Sequence, residues 1–242
     1  MAAQGEKGGW WKERFPINMA RLKEVLGEEL PDHMRYWWFC LGGVPLLMFL
    51  VLVATGLMLS VYYVPSPEKA HSSIQYIQEG VRFGWWIRGV HHWAAQFMII
   101  TVILHVMRVF FIAAYRKPRE LCWVAGSLLL LTTLGMGFTG YTLTYTHQAY
   151  WAATVGTELA QSVPLIGGFI ANFLRGGPTI GPGTLTRLFA LHTVILPTFM
   201  VIFIFIHVFI MRLHGVAEHA AAIVEEMVRG VSRPESETGK EG

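Results

Sequence analysis

The sequence predicts an all-α membrane protein, a bundle of four transmembrane helices with an interfacial helix at its N-terminus. Composition is the first observation: of 242 residues, 53% are hydrophobic and 14% charged, outside the ordinary balance of soluble domains. The second is that four runs lack Asp, Glu, Lys and Arg over the span of about 20 residues that a helix needs to cross a bilayer. They are Tyr36 to Ser66, Gly89 to Met107, Leu121 to Thr157 and Leu188 to Met211. The third is a pair of matched histidine spacings inside two of these runs, where ionisable side chains are rare and functional.

Taken in order, residues 1–35 form a cytoplasmic N-terminal segment. Within it, Trp10 to Leu30 interleaves Trp10, Trp11, Phe15, Ile17 and Leu22 with Lys, Arg and Glu. That pattern suits a helix lying in the interface with aromatics at headgroup depth, and equally a helix packed on a partner subunit. Pro31 breaks it. The first 35 residues carry charges of both signs and no apolar core, so no cleaved signal is expected and the first span serves as the insertion signal. The transmembrane domain is expected over 36–213, with helices at 36–64, 84–113, 121–145 and 187–213. The third charge-free run is too long for one crossing, so its remainder joins an external loop, 146–186, in which 151–163 and 167–177 read as short amphipathic helices. Connections of this length usually have a task, here either the roofing of a pocket at the outer surface or a simple protective cap, which fits the sequence too. Residues 214–242 are a cytoplasmic tail, with a helix over Gly215–Gly230 and a disordered end.

Orientation follows from the basic residues near the membrane. Of 19 Lys and Arg, fourteen fall on the side of the termini and of the connection between the second and third spans. Lys69, Arg82, Arg88, Arg175 and Arg187 fall on the other. Both termini are therefore placed in the cytoplasm. The net charge of +3 reflects this bias and is no nucleic-acid footprint. Two cysteines, Cys40 and Cys122, near the cytoplasmic ends of their spans, make a structural disulfide unexpected.

The second span carries His91 and His105, fourteen residues apart, which places them on nearly one helix face about 21 Å from each other. The fourth carries His192 and His207, fifteen apart, again sharing a face at about 22 Å. Neutral imidazole is a good axial ligand for haem iron, so two such helices could clamp two stacked haems, one near each membrane surface. His92 competes with His91; the spacing to His105 prefers His91. Gly42 and Gly56 in the first span, and Gly126 and Gly140 in the third, repeat the fourteen-residue interval. Glycines can pack helices closely, but the matched interval favours openings for a flat porphyrin at each level. Arg88 lies three residues before His91 and Arg108 three after His105, each one turn toward water, where it could meet a haem propionate or simply snorkel.

The stretches GWWIRGVHHW, LHVMRVF, YRKPREL, GFTGY and TLTRLFALHTVILP resemble the cytochrome b family of quinol–cytochrome c reductases over about residues 30 to 215. The fifteen-residue spacing of the fourth span, the chain ending after four helices and FCLGG at 39–43 resemble its split form. The resemblance implies that His91 and His192 ligate an outer haem b, that His105 and His207 ligate an inner one, and that Arg88 and Arg108 meet propionates. It implies a haem c held by one thioether at Cys40, which opens the first span level with His105 and His207. Cys122 matches no family ligand and is read as packing.

Two departures stand out. Gly140-Tyr141-Thr142-Leu143-Thr144-Tyr145 replaces the family's usual GYxLPW, losing the proline and tryptophan beside the outer quinol pocket, and a PEWY motif is absent. In the split form that motif belongs to a separate subunit. The resemblance thus implies an electron-transfer subunit, inactive alone and with no nucleophile or triad, in a quinol–cytochrome c oxidoreductase coupled to proton translocation. Its expected partners are quinol and quinone, a Rieske iron–sulfur protein, the PEWY-bearing subunit, a c-type cytochrome acceptor and lipid, in a dimer of complexes in the bacterial plasma membrane. The alternative is a di-haem membrane anchor for another quinone-linked dehydrogenase or reductase. A haem-free transporter would leave the paired histidines without a role.

Overall fold

The computed structural model describes residues 39–214, so the region of the interfacial helix, the tail helix and the first residues of the expected first span lie outside the described residues. Among the described residues every regular element is helical. A 3-10 turn, Phe39–Gly42, leads into α1, Gly43–Ser60, whose Pro45 falls in the first turn, where no intrahelical donor is needed. After Pro65 comes α2, Ala70–Glu79, which buries Ala70, Ser73 and Ile77. This helix was not anticipated, although its buried positions follow a helical period.

Helix α3, Gly84–Phe111, begins after Phe83 in a left-handed conformation, φ 61°. Gly84 passes so close to the Ile77 carbonyl that a Cβ has no room, which sets α2 tightly on the start of α3. Helix α4 is Glu120–Thr142. Helix α5, His147–Gln161, is capped by Thr146, whose hydroxyl accepts from the Ala149 amide at 3.2 Å. Helix α6, Gly167–Arg175, ends on Gly176 at φ 75°, a left-handed stop that suits glycine. Helix α7, Pro182–Ala190, starts with proline at its first position and runs through a π turn, Leu191–Ile195, into α8, Leu196–His214.

The fourth span therefore begins at Pro182, earlier than the expected 187. The charge-free run missed its first turn because Arg187 projects from it, exposed to solvent. Between α4 and α7 the chain is built rather than loose. Arg175 donates from Nε to Thr157 Oγ1 at 2.7 Å and from Nη1 to Gln161 Oε1 at 3.3 Å, tying α6 to α5. Thr184 Oγ1 donates to the Arg175 carbonyl at 2.6 Å and ties α6 to α7.

Four helices are long and apolar enough to cross a membrane: Gly43–Ser60, Gly84–Phe111, Glu120–Thr142 and Pro182–His214. Their outer faces carry Leu57, Leu131 and Phe205 in the open, the pattern of a bundle whose outer solvent is lipid. Helix α1 packs on α3, α3 on α4, and α4 on α8, while the π turn closes on α1. The spans thus form a ring in which α3 and α8 stand diagonally opposed.

At the centre of the ring lie Phe49, Met98 and Met200, buried, with Leu52, Leu129 and Ile204 against them. Each of the three stands at, or within one residue of, the midpoint of a paired interval: Phe49 between Gly42 and Gly56, Met98 between His91 and His105, Met200 between His192 and His207. Thr133, midway between Gly126 and Gly140, is buried too. One packed apolar layer therefore separates the two histidine levels.

The π turn explains why the fourth span needs fifteen residues where the second needs fourteen. Pro197 has no amide hydrogen, and its ring crowds the carbonyl four residues earlier, Thr193. The ladder widens there, and the Leu196 amide reaches back five residues to Leu191. A π turn takes up one extra residue without advancing the helix phase by a full step. His192 and His207 consequently face the bundle interior in the same phase as His91 and His105.

Candidate functional site

The four predicted histidines meet in two pairs. His91 of α3 faces His192 of the π turn with ring centroids 6.4 Å apart and planes at 72°. His105 faces His207 of α8, also at 6.4 Å, with planes at 81°. His92 turns outward, exposed, against Trp93.

Each of the four predicted glycines backs one of these rings. A Cβ on Gly42 would stand 3.2 Å from His105 Cε1, on Gly56 3.2 Å from His91 Cε1, on Gly126 3.1 Å from His207 Cε1, and on Gly140 2.7 Å from His192 Cε1. Helices α1 and α4 thus contribute bare backbone where α3 and α8 contribute imidazoles.

The Nδ1 partners decide which nitrogen is available. The Thr55 hydroxyl donates its single hydrogen to the Val51 carbonyl at 2.7 Å, and its oxygen lies 2.8 Å from His91 Nδ1. Thr139 repeats this, donating to the Gly135 carbonyl at 2.8 Å with His192 Nδ1 at 3.1 Å. With the hydroxyl hydrogen on the helix carbonyl, each threonine oxygen is placed to accept from Nδ1–H, the tautomer that leaves Nε2 free. His207 Nδ1 donates to the Cys122 carbonyl at 3.0 Å, with Cys122 Sγ at 3.6 Å. All three rings thus have neighbours that suit a lone pair on Nε2, and for His207 the carbonyl acceptor requires it. His105 Nδ1 has no hydrogen-bond partner among the described residues.

Neither threonine was singled out from the sequence, although each directly precedes one of the paired glycines. Cys122, read as a packing residue, also lies against a histidine. Arg88 donates to Gln78 Oε1 on α2 at 3.1 Å, and Arg108 sits half-buried one turn beyond His105. The backbone of Cys40 lies in the 3-10 turn two residues before Gly42, hence at the His105 level.

Beyond the His91 level, the Tyr63 hydroxyl donates to the Leu143 carbonyl at 2.7 Å, and the Tyr63 ring stacks on Phe189 at 5.5 Å. Burial, with Tyr145 nearby, pushes the Tyr63 phenol well above its usual range, so it remains a donor. Tyr145, where tryptophan would stand, takes a left-handed φ of 45°, and burial followed by Tyr150 and Glu68 raises its phenol as well.

The arrangement fits a metal held between each pair. An imidazole nitrogen bound to a metal ion sits about 2.0–2.1 Å from it, and the ring centre lies about 1.1 Å behind that nitrogen, so two opposed imidazoles place their centroids about 6.2 Å apart. Both observed separations match. Among the described residues no three His, Cys, Asp or Glu side chains converge, so such a metal would bring its remaining ligands with it, as haem iron does. The glycines let each ring lie directly against bare backbone, where a side chain would push it off its pair.

Comparison with known proteins agrees with this geometry. Residues 25–215 match the family Cytochrome b/b6/petB. The chain is 42% identical over 209 residues to cytochrome b6 of Heliomicrobium gestii, covering 86% of this chain and 98% of that protein. It is 39% identical over 208 residues to cytochrome b6 of Gloeobacter violaceus, covering 86% and 96%. Among solved structures it is similar to a chain of a hyperthermophilic respiratory Complex III, with a TM-score of 0.72 and 27% identity, covering 86% of this chain and 55% of that one. With the family match spanning most of its length, and with relatives this similar aligned almost end to end, the chain belongs to the cytochrome b/b6 family.

Proposed function

We propose that this chain is the cytochrome b subunit of a quinol–cytochrome c oxidoreductase. In it, electrons cross the membrane by way of two b haems, one held by His91 and His192 near the outer surface and one by His105 and His207 near the inner. The observation that carries the proposal is the pair of opposed imidazoles at each level, each 6.4 Å apart and each backed by two glycines. When bound, haem supplies reversible one-electron chemistry at iron.

The chain's own residues do the rest. The four imidazoles present Nε2 as ligand, and Thr55, Thr139 and the Cys122 carbonyl hold three of them in that tautomer. Phe49, Met98 and Met200 keep water out of the layer between the levels. Arg88 and Arg108 stand where propionates would be paired. Cys40, at the inner level, would hold a haem c by one thioether.

Quinol oxidation releases two electrons and two protons. One electron goes to a Rieske iron–sulfur protein and on to a c-type cytochrome; the other is carried inward through this subunit to a quinone, which takes up protons there. The outer quinol pocket is completed by a separate PEWY-bearing subunit, in a dimer of complexes in a bacterial plasma membrane with both termini of this chain cytoplasmic.

The test is a pyridine haemochrome spectrum of the purified complex beside a denaturing gel stained for haem peroxidase activity. Two extractable b haems per chain are expected, together with haem that stays on the 27.3 kDa band and is lost in Cys40→Ala. Absence of b haem would overturn the proposal. A complex with b haem but no Rieske protein or PEWY-bearing subunit would make the chain a di-haem membrane anchor instead.

A further inference from the structure

We infer that Thr55 and Thr139 are positioning residues that lock the Nδ1–H tautomer of His91 and His192 and thereby set the redox potential of the iron those two histidines hold. The inference rests on the proposed haem ligation.

Threonines inside apolar helices commonly bond back to the carbonyl four residues earlier, and Thr132, Thr133 and Thr157 do so here without meeting a histidine. At Thr55 and Thr139 the same back-bond has a second consequence. It occupies the hydroxyl hydrogen and leaves the oxygen 2.8 Å and 3.1 Å from a histidine Nδ1, where it can accept once Nε2 is the ligand atom. Both threonines are buried, at 7% and 3% exposure, so water does not substitute for them. The device occurs twice, on separate helices, each time as Thr-Gly: Thr55-Gly56 on α1 and Thr139-Gly140 on α4. The glycine makes room for the ring that the preceding hydroxyl holds. At the other level the residues before the glycines are Leu41 and Ala125, which have no hydroxyl.

An acceptor on Nδ1–H gives the ring partial imidazolate character, which makes Nε2 a stronger donor to the metal and favours ferric over ferrous iron. Each ring also has a main-chain carbonyl within reach, Leu52 for His91 and Met136 for His192, so losing the hydroxyl weakens the acceptor set rather than abolishing it. The potential at the His91–His192 level should therefore rise and that at the His105–His207 level stay unchanged. The alternative is that the hydroxyls serve only to fill space and relieve their own polarity within the helix.

Redox titration of the intact complex, followed in the visible bands of both b haems, separates these. Thr139→Val and Thr55→Val are each expected to lower the oxidised-to-reduced ratio of one haem threefold to tenfold at fixed poise, about 30–60 mV upward for one electron. Thr139→Ser should restore the wild-type value. Unchanged potentials with full haem content, or an equal shift of both haems, would overturn the inference. If Thr139→Val loses one haem, Thr139→Ser decides: retention there shows that the hydroxyl holds the ligand, and loss shows that it does not. A wild-type complex lacking b haem would instead remove the proposed function beneath it.

Discussion

At the level of His91 and His192, two side-chain hydroxyls lie against Nδ1 of the two ligand candidates, and the backing glycines lie toward the far ends of regular helices. At the level of His105 and His207, one ring leans on a main-chain carbonyl with a thiol beside it, the other has no Nδ1 partner among the described residues, and one backing glycine belongs to a 3-10 turn. The same pair of opposed imidazoles is thus supported by two different sets of neighbours. Identical ligands need not give identical sites, because what surrounds a ligand tunes the metal as much as the ligand does.

The largest effects come from removing the ligands. Replacing His192 by Ala should eliminate one b-haem spectrum and leave the other, and His207→Ala should eliminate the complementary one; a visible spectrum of each purified variant checks both. Loss of neither signal would break the pairing. Next is the glycine contrast. Gly140→Ala places a Cβ 2.7 Å from His192 Cε1, with Nε2 at 3.2 Å and Nδ1 at 3.3 Å, so the whole ring must shift, whereas Gly126→Ala meets His207 at 3.1 Å, a gap a small ring movement relieves. Haem content should fall further in the first than in the second, and equal losses would show that the two openings are equivalent.

Smaller is Tyr63→Phe. It deletes the bond to the Leu143 carbonyl and should cost about 1 kcal/mol of local stability at the connection from α4 to α5, read as faster proteolysis there in the detergent-solubilised complex. The smallest is Cys122→Ala. It removes Sγ but keeps the carbonyl that accepts from His207, so the potential at that level should move less than Thr139→Val moves the other.

Much of this architecture could be read from intervals. The four spans follow from charge-free length, and the pairing of rings with glycines from a repeated spacing of fourteen, because an α-helix converts a fixed interval into a fixed face. The hydrogen-bonding neighbours escaped notice for a physical reason. A threonine in an apolar helix normally satisfies itself through its own backbone, and only the arrival of a ring from another helix gives its second lone pair a use. Helix α2 was hidden by its polarity, since Ser73 belongs to its buried face. The end of α4 gave the opposite outcome: Thr144 and Tyr145 were visible as departures, but only the left-handed turn at Tyr145 and the Tyr63–Leu143 bond show how the chain leaves the helix there.

The widened turn at His192 carries a consequence for insertions and deletions. In α3, deleting any one residue between His91 and His105 would rotate one imidazole about 100° away from its partner. Between His192 and His207 the turn already stores a spare residue, and deleting Val194 together with Pro197→Ala, which removes the ring that widens the ladder, would return the segment to an ordinary helix with a fourteen-residue interval. The two spans should therefore respond in opposite ways to the loss of one residue. A one-residue deletion in α3 should cost a haem band, and the deletion of Val194 combined with Pro197→Ala should leave both bands in place.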